Sequence, residues 1–155
     1  MNDLIITKAV KEDLPIILDI QKKAFLEVAR TFHLKTMPQI EQTLESLTAE
    51  YKNHIILKAS LADTIVGSVR AYHLKDTCYI SRLVVLPEYQ NKGIGKSLMS
   101  EIENQFKNIV KRYELFTGSQ DQRNVYLYNK LGYKPFKTEY LNSEITFVFM
   151  GKSVE

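Results

Sequence analysis

The sequence has little cysteine and no long apolar run, and both absences narrow the kind of protein it encodes. Cys78 is the only cysteine, so the chain cannot form an internal disulfide, and a reducing, cytoplasmic location fits best. No apolar stretch approaches the roughly 18 residues that a transmembrane helix needs, and we expect no membrane partner. The first ten residues lack the basic start and apolar stretch of a signal peptide, so none is expected.

Charge of one sign is not concentrated anywhere in the chain. The 21 lysines and arginines nearly balance the 18 aspartates and glutamates, for a net charge of +3, and they form no dense basic run. We therefore expect no nucleic-acid partner, and we predict no metal site. Repeats and low-complexity tracts are absent, and the hydrophobic fraction of 45% is ordinary for a globular protein. The length predicts one domain over residues 1–155.

The apolar pattern predicts strands alternating with helices. Asp13 is a candidate N-cap for a first helix that ends near Arg30, and a second helix is predicted over 38–51. A third begins at Gly95, with Leu98, Ile102, Phe106 and Ile109 on one face. The remaining predicted elements are a helix over 123–131 and strands over 4–8, 54–59, 64–72, 78–86, 113–117, 133–137 and 145–150.

The most informative segment is an apolar strand, a short loop with two glycines, and an amphipathic helix over 83–98. The start of a helix leaves backbone N–H groups unpaired, and glycines let a phosphate approach them, so this is a candidate anion site. A plain tight turn remains an alternative for two glycines before a helix. The dinucleotide fingerprint fails because Leu98 replaces its third glycine, and the nucleotide phosphate loop fails because Gln90 replaces its first.

The chain resembles the GNAT superfamily of N-acetyltransferases. Gln90-x-x-Gly93-x-Gly95, after an apolar strand that ends at Pro87, matches the superfamily's signature, and Tyr128-Asn-Lys-Leu-Gly-Tyr133 matches its second motif. The resemblance implies an α/β fold with a mixed, mostly antiparallel central sheet flanked by helices. The implied order is β-α-α-β-β-β-α-β-α-β-β, in agreement with the predicted elements.

The resemblance also implies a cofactor and the residues that hold it. The cofactor is acetyl-coenzyme A (acetyl-CoA), which serves as acetyl donor, with no metal. Backbone groups of the cleft strand would pair with its pantetheine arm, and the glycine loop would hold its pyrophosphate. Tyr128 matches the tyrosine that protonates the departing thiolate. The implied cofactor-binding residues are Leu83, Val84, Val85, Gln90, Asn91, Lys92, Gly93, Ile94, Gly95, Lys96 and Asn124.

The general base is left open by the sequence. Some superfamily members have a glutamate in the middle of the cleft strand, but this chain has none there. The alternatives are a water chain held by Tyr79 or Ser81, or a histidine, either His33 or His73. Nothing near Cys78 suggests an activated thiol.

The predicted function is N-acetylation of a primary amine on a small molecule or a peptide by direct attack on the thioester. The loop 31–38 is expected to set acceptor specificity. The alternative function is a CoA-binding sensor or interaction module without turnover. An exposed final strand over 145–150 would allow a homodimer.

Overall fold

A seven-stranded sheet runs through the protein and carries helices on both faces. The computed structural model describes residues 3–155. Its helices are α1 (Leu14–Thr31), α2 (Pro38–Glu41), α3 (Leu44–Tyr51), α4 (Ile94–Phe106) and α5 (Gln122–Lys130). Its strands are β1 (Leu4–Lys8), β2 (Ile55–Leu61), β3 (Thr64–Leu74), β4 (Thr77–Val85), β5 (Arg112–Gly118), β6 (Lys134–Tyr140) and β7 (Thr146–Ser153). Within residues 3–155, no helix is long and apolar enough to cross a membrane.

The strand order in the sheet is β1-β2-β3-β4-β5-β7-β6. Every neighbouring pair is antiparallel except β4 and β5, which run parallel. This confirms the predicted fold class, a mixed and mostly antiparallel sheet flanked by helices. The parallel pair lies at the centre, and α4 connects its two strands.

Alternate residues of the central strands face different helices, as expected for a sheet covered on both sides. On β2, Ile56 packs in a cluster with α1 and α3, including Leu14 and Leu47. The next residue, Leu57, belongs to the larger cluster built on α4, whose Leu98 is fully buried. The sheet is thus held between α1 and α3 on one face and α4 and α5 on the other.

The prediction of one continuous helix over 38–51 was wrong. The chain leaves helical geometry at Gln42, and a new helix starts with Thr43 as its N-cap, whose hydroxyl accepts the N–H of Ser46 at 3.1 Å. The cause lies on β3, where the Arg70 guanidinium is almost fully buried at 1% exposure. The break lets the Gln42 side-chain oxygen accept from Arg70 Nη2 at 2.8 Å. A buried guanidinium needs such acceptors, because unpaired burial of a charge is costly.

Two details at helix ends also differ from expectation. Asp13 precedes α1, but its carboxylate accepts the N–H of Val10 at 2.9 Å and Lys58 Nζ at 2.7 Å instead of capping the helix. Residues Lys11–Asp13 form a 3-10 turn, and the Asp13 side chain closes that turn. Ile109 lies beyond the end of α4 and is 53% exposed, while Val110 takes the buried position that the spacing had assigned to Ile109.

Candidate active site

The two central strands part, and the gap between them forms a cleft. β4 and β5 pair only over Thr77–Tyr79 and Arg112–Glu114. Beyond this point a bulge in β4 places two residues, Arg82 and Leu83, opposite one residue of β3. Arg82 adopts a left-handed backbone conformation with φ of 55°. Because a bulge bends its strand, it turns β4 away from β5.

A cavity occupies the cleft. Strand β4 contributes residues 80–83 to its lining, and β5 contributes residues 115–118. The first helix and the loop after it add an apolar wall that includes Phe25, Phe32 and Met37. Asn124 and Tyr128 of α5 and residues 144–147 complete the lining. The cavity therefore brings together residues from five separate parts of the chain.

The start of α4 is a candidate anion site beside this cavity. Gly93 is the N-cap with φ of 83°, a left-handed conformation that only glycine adopts without strain. Within residues 3–155, no group accepts a hydrogen bond from the amides of Ile94, Gly95 or Lys96. These free amides and the helix dipole attract negative charge.

Gly95 keeps this helix start open. A Cβ added at Gly95 would lie 3.8 Å from Leu83 Cδ2 and 3.9 Å from Leu127 Cδ2, which is ordinary contact. Packing therefore does not require a glycine here, and close approach of a ligand to the backbone is the better reason for it. The contact with Leu83, which lines the cavity, also shows that the helix start adjoins the cleft.

The loop between β4 and α4 is held by side chains of the glycine motif itself. Gln90 Nε2 donates to the carbonyl of Val85 at 3.0 Å, so Gln90 ties the loop to the end of the strand. The Lys92 ammonium lies over the Tyr89 ring, 5.7 Å from its centre. Leu86 donates its N–H to Val66 of β3, so alternation directs the N–H of Val85 away from β3 and into the cleft.

Tyr128 lies where the resemblance predicted an acid. It projects from α5 into the cavity lining, is 6% exposed, and packs edge-on against Tyr133 at 6.1 Å between ring centres. Burial raises the pKa of Tyr128, and the charge of Asp121 raises it further. The hydroxyl therefore stays protonated at physiological pH and is able to donate a hydrogen bond.

Asn124, one turn before Tyr128, also lines the cavity. Its backbone N–H donates to the carboxylate of Asp121 at 3.2 Å, which caps α5. The Asn124 side chain is thus free of the capping role and lies on the cavity side of the helix. Burial raises the pKa of Asp121 despite this hydrogen bond.

Comparison with known proteins agrees with this geometry. The family model for the acetyltransferase (GNAT) domain matches residues 17–154. The chain belongs to the GNAT acetyltransferase family. No curated protein sequence matches it significantly.

Solved GNAT structures share the fold at low identity. The PaiA N-acetyltransferase of Thermoplasma acidophilum, in complex with coenzyme A, is 22% identical with a TM-score of 0.82, covering 97% of this chain and 99% of that one. The ribosomal-protein-S18-alanine N-acetyltransferase of Escherichia coli is 14% identical with a TM-score of 0.81, covering 98% and 94%. A phosphinothricin acetyltransferase of Sinorhizobium meliloti, in complex with acetyl-CoA, is 17% identical with a TM-score of 0.79, covering 97% and 88%.

Of the residues proposed to act as the base or to hold a water chain, only Ser81 lines the cavity of this GNAT domain. Tyr79 stacks on Tyr72 at 5.3 Å outside the lining. His33 is exposed beyond α1, and His73 lies at the far end of β3 against Phe106. Within residues 3–155, neither histidine lines the cavity.

The one cysteine is also unsuited to nucleophilic chemistry. Cys78 is fully buried. Burial, helped by the charge of Glu103, raises the pKa of its thiol to about 12. The thiolate, which is the reactive form, is therefore scarce at neutral pH.

Three polar residues of the site were not predicted from the sequence. Arg82 and Gln39 line the cavity, and Arg123 Nη2 donates to Asn91 Oδ1 at 3.3 Å, beside the anion site. A lone arginine in an otherwise apolar strand was the available signal for Arg82. Gln39 and Arg123 carry no local signal, because other parts of the chain bring them to the site.

Proposed function

We propose that this protein is an N-acetyltransferase that uses acetyl-CoA to acetylate a primary amine of a small molecule or a peptide. One observation carries the proposal. β4 and β5 part where the free amides at the start of α4 adjoin Leu83, so an anion site and a lined cleft are continuous. A phosphate-bearing thioester fits such a site, with its phosphates at the helix and its acyl end in the cleft.

The residues around the cleft suit acetyl-CoA, which would supply an activated acetyl thioester when bound. We assign its pyrophosphate to the amides of residues 91–96, with Lys92, Lys96 and Arg123 adding positive charge. The exposed backbone edge of residues 83–85 would pair with the pantetheine arm, and Asn124 would hydrogen-bond to it. Gln90 supports this set indirectly, through its bond to the Val85 carbonyl.

The reaction needs little from the protein beyond position and hydrogen bonds. The amine nitrogen forms a bond to the carbonyl carbon, the carbon–sulfur bond breaks, and the amine's proton passes to water. We assign the Val85 N–H as the donor to the carbonyl oxygen as negative charge develops there. No carboxylate occupies the middle of β4, and we assign loss of the acceptor's ammonium proton to solvent, through a water that Ser81 would hold.

Tyr128 acts on the leaving sulfur. Full proton transfer from a tyrosine to a thiolate is uphill, because a free thiol has a pKa of about 8.5 and a free tyrosine about 10. Burial widens this gap by raising the pKa of Tyr128. We therefore assign Tyr128 as a hydrogen-bond donor that stabilises the thiolate, which takes its final proton from solvent.

The similar structures indicate the cofactor but leave the acceptor open. Two of the three structures named above were solved with coenzyme A or acetyl-CoA. Acceptors differ among the three proteins, since one acts on an alanine of a ribosomal protein and another on phosphinothricin. The fold thus serves both peptide and small-molecule amines, and the acceptor must be inferred from this chain's own cavity.

The test is release of free thiol from acetyl-CoA in the presence of a panel of amines, with products identified by mass. We expect thiol release that depends on one class of amine, and a product heavier by one acetyl group. Binding of coenzyme A without acetylation of any amine would contradict an enzyme and favour a CoA-binding module. Absence of binding would contradict the proposed site as a whole.

A further inference from the structure

The cavity contains two polar groups that the protein itself leaves unpaired. Arg82 Nε and Gln39 Oε1 are both buried, and neither has a hydrogen-bond partner among residues 3–155. Both residues line the cleft cavity, and Gln39 is 91% buried, being 9% exposed. One group is a donor and the other an acceptor. Since buried polar groups in native proteins are nearly always paired, a ligand is the expected partner.

The neighbouring arginine shows that the protein can satisfy a buried guanidinium when it needs to. Arg70 bonds to Glu50 at 3.1 Å, to Gln21 at 2.9 Å and to Gln42 at 2.8 Å. These partners come from α1, α3 and the break before α3. Glu50, Gln21 and Gln42 are thus used on Arg70, and none of them accepts a hydrogen bond from the Nε of Arg82.

The charges around Arg82 do not balance. The charge of Glu50 acts on Arg82, but Glu50 already pairs with Arg70. Asp121 and Glu144 also line the cavity, but within residues 3–155 no carboxylate comes within ion-pair distance of Arg82. Two guanidinium groups therefore share one carboxylate. A partly buried cation without a counter-ion is unfavourable until an anion binds.

We propose that Arg82 binds a carboxylate of the amine acceptor, so that the substrate is an amino acid or a similar amine that carries an acid group. This rests on the proposed acetyltransferase function. A guanidinium donates to a carboxylate through a planar fork, which also fixes the acceptor's orientation. The unpaired oxygen of Gln39 is a second contact, suited to an N–H of the acceptor's amine.

The apolar part of the cavity wall indicates the rest of the acceptor. Phe25, Val28, Phe32 and Met37 line the cavity from α1 and the loop after it. Such a wall favours an apolar side chain over a charged one, because burying a charge there would cost free energy. The preferred acceptor is thus an apolar amino acid with a free amine and a free carboxylate.

The experiment compares acceptors that differ only in the acid group. L-Leucine, L-methionine and L-phenylalanine are each assayed against their own carboxamides by thiol release from acetyl-CoA. A carboxamide has the lower amine pKa and offers more free amine, so a preference for the acid cannot come from intrinsic reactivity. We expect kcat/KM to be about 10- to 100-fold higher for at least one acid than for its amide. A panel in which every amide equals or exceeds its acid overturns the proposal.

Variants then assign that preference to Arg82. Arg82→Met should abolish the difference between acid and amide, through KM of the acceptor, while KM for acetyl-CoA stays unchanged. Arg82→Lys keeps the charge without the fork and should retain part of the preference. Arg30→Met, at an exposed position of α1, is the matched control and should behave as wild type. An unchanged preference in a folded Arg82→Met variant, or a rise only in KM for acetyl-CoA, contradicts the assignment.

The failure of this inference can be told apart from failure of the proposed function. Coenzyme A binding and slow hydrolysis of acetyl-CoA report on the cofactor site without any acceptor. A preference for amines that lack an acid group, such as spermidine, would support the acetyltransferase function but contradict the carboxylate site. The cavity would then bind cationic acceptors through Asp121 and Glu144. Binding of coenzyme A together with no stabilisation by N-acetyl-L-leucine, N-acetyl-L-methionine or N-acetyl-L-phenylalanine would contradict the carboxylate site even without turnover.

Discussion

Removal of the Tyr128 hydroxyl should slow turnover without weakening cofactor binding. The Tyr128→Phe change keeps the ring that packs on Tyr133 at 6.1 Å, so the fold should be preserved. It removes only the hydrogen bond that we assign to the departing thiolate. That bond forms as charge develops on sulfur and is weak in the bound thioester. The loss should therefore appear in kcat.

The size of the effect follows from the burial of Tyr128. Because the side chain is 6% exposed, little water can take the place of the hydroxyl. A hydrogen bond to a charged group contributes about 1.5–3 kcal/mol, which corresponds to a fall in kcat of roughly 10- to 150-fold. The raised pKa of Tyr128 adds a second expectation. The hydroxyl does not titrate in the assay range, so the pH profiles of wild type and variant should run parallel.

The assay is saturating turnover with a good acceptor, from pH 6 to 9 as a rough range for thiol detection. Tyr126→Phe is the matched control, since Tyr126 is on the same helix but is 63% exposed. We expect the control to keep wild-type kcat. Full activity of Tyr128→Phe, or a loss confined to KM for acetyl-CoA, would refute the assignment of this hydroxyl to the leaving group.

Three further changes test other parts of the account. Gly93→Ala should lower the affinity for coenzyme A, measured by calorimetry, and should cost about 1 kcal/mol of folding stability because φ is 83°. An added Cβ would meet no protein atom within 4 Å, so a clash within the protein does not contribute. Unchanged affinity would contradict the anion site. Glu50→Gln should destabilise the fold by about 1–3 kcal/mol in urea unfolding, because it removes the countercharge of buried Arg70. Partial exposure of Glu50 keeps the loss below that of a fully buried pair, and no change would mean that the glutamines alone satisfy Arg70. Burial raises the pKa of Asp13, but its bonds to Lys58 and to a backbone N–H hold it below 3.8. Asp13→Asn should therefore be less stable than wild type above that pH, and the difference should vanish as the pH falls through the pKa of Asp13 in the folded protein. A difference in stability that persists in acid would show that the charge of Asp13 is not the cause.

Local patterns predicted the elements of the fold, and long-range contacts decided the rest. The strands and the amphipathic face of α4 are visible in the spacing of apolar residues. The position of β7 between β5 and β6 is not, because pairing between distant strands leaves no local signal. The break between α2 and α3 depends on Arg70, which lies 28 residues from Gln42 in sequence. The helix propensity of residues 38–51 alone therefore favoured a single helix.

The same division holds for the candidate site. The glycine motif and Tyr128 could be recognised because each lies in a short motif that resembles one of the GNAT superfamily. Arg82 could not, because its burial results from a bulge in β4 and from helices that pack over it. Three of the four residues proposed as the base or as holders of a water chain show the opposite error. His33, His73 and Tyr79 have suitable chemistry, but the fold places them outside the cavity.

Hydrogen exchange with and without coenzyme A tests the central claim most directly, because it locates the cofactor on the chain. The account predicts slower exchange at residues 83–85 and 91–96, where amides face the cleft or begin α4, and at the start of α5. Exchange should be unchanged in β1 and β2, which lie away from the cleft. Protection confined to other segments, or no protection at saturating coenzyme A, would contradict the site.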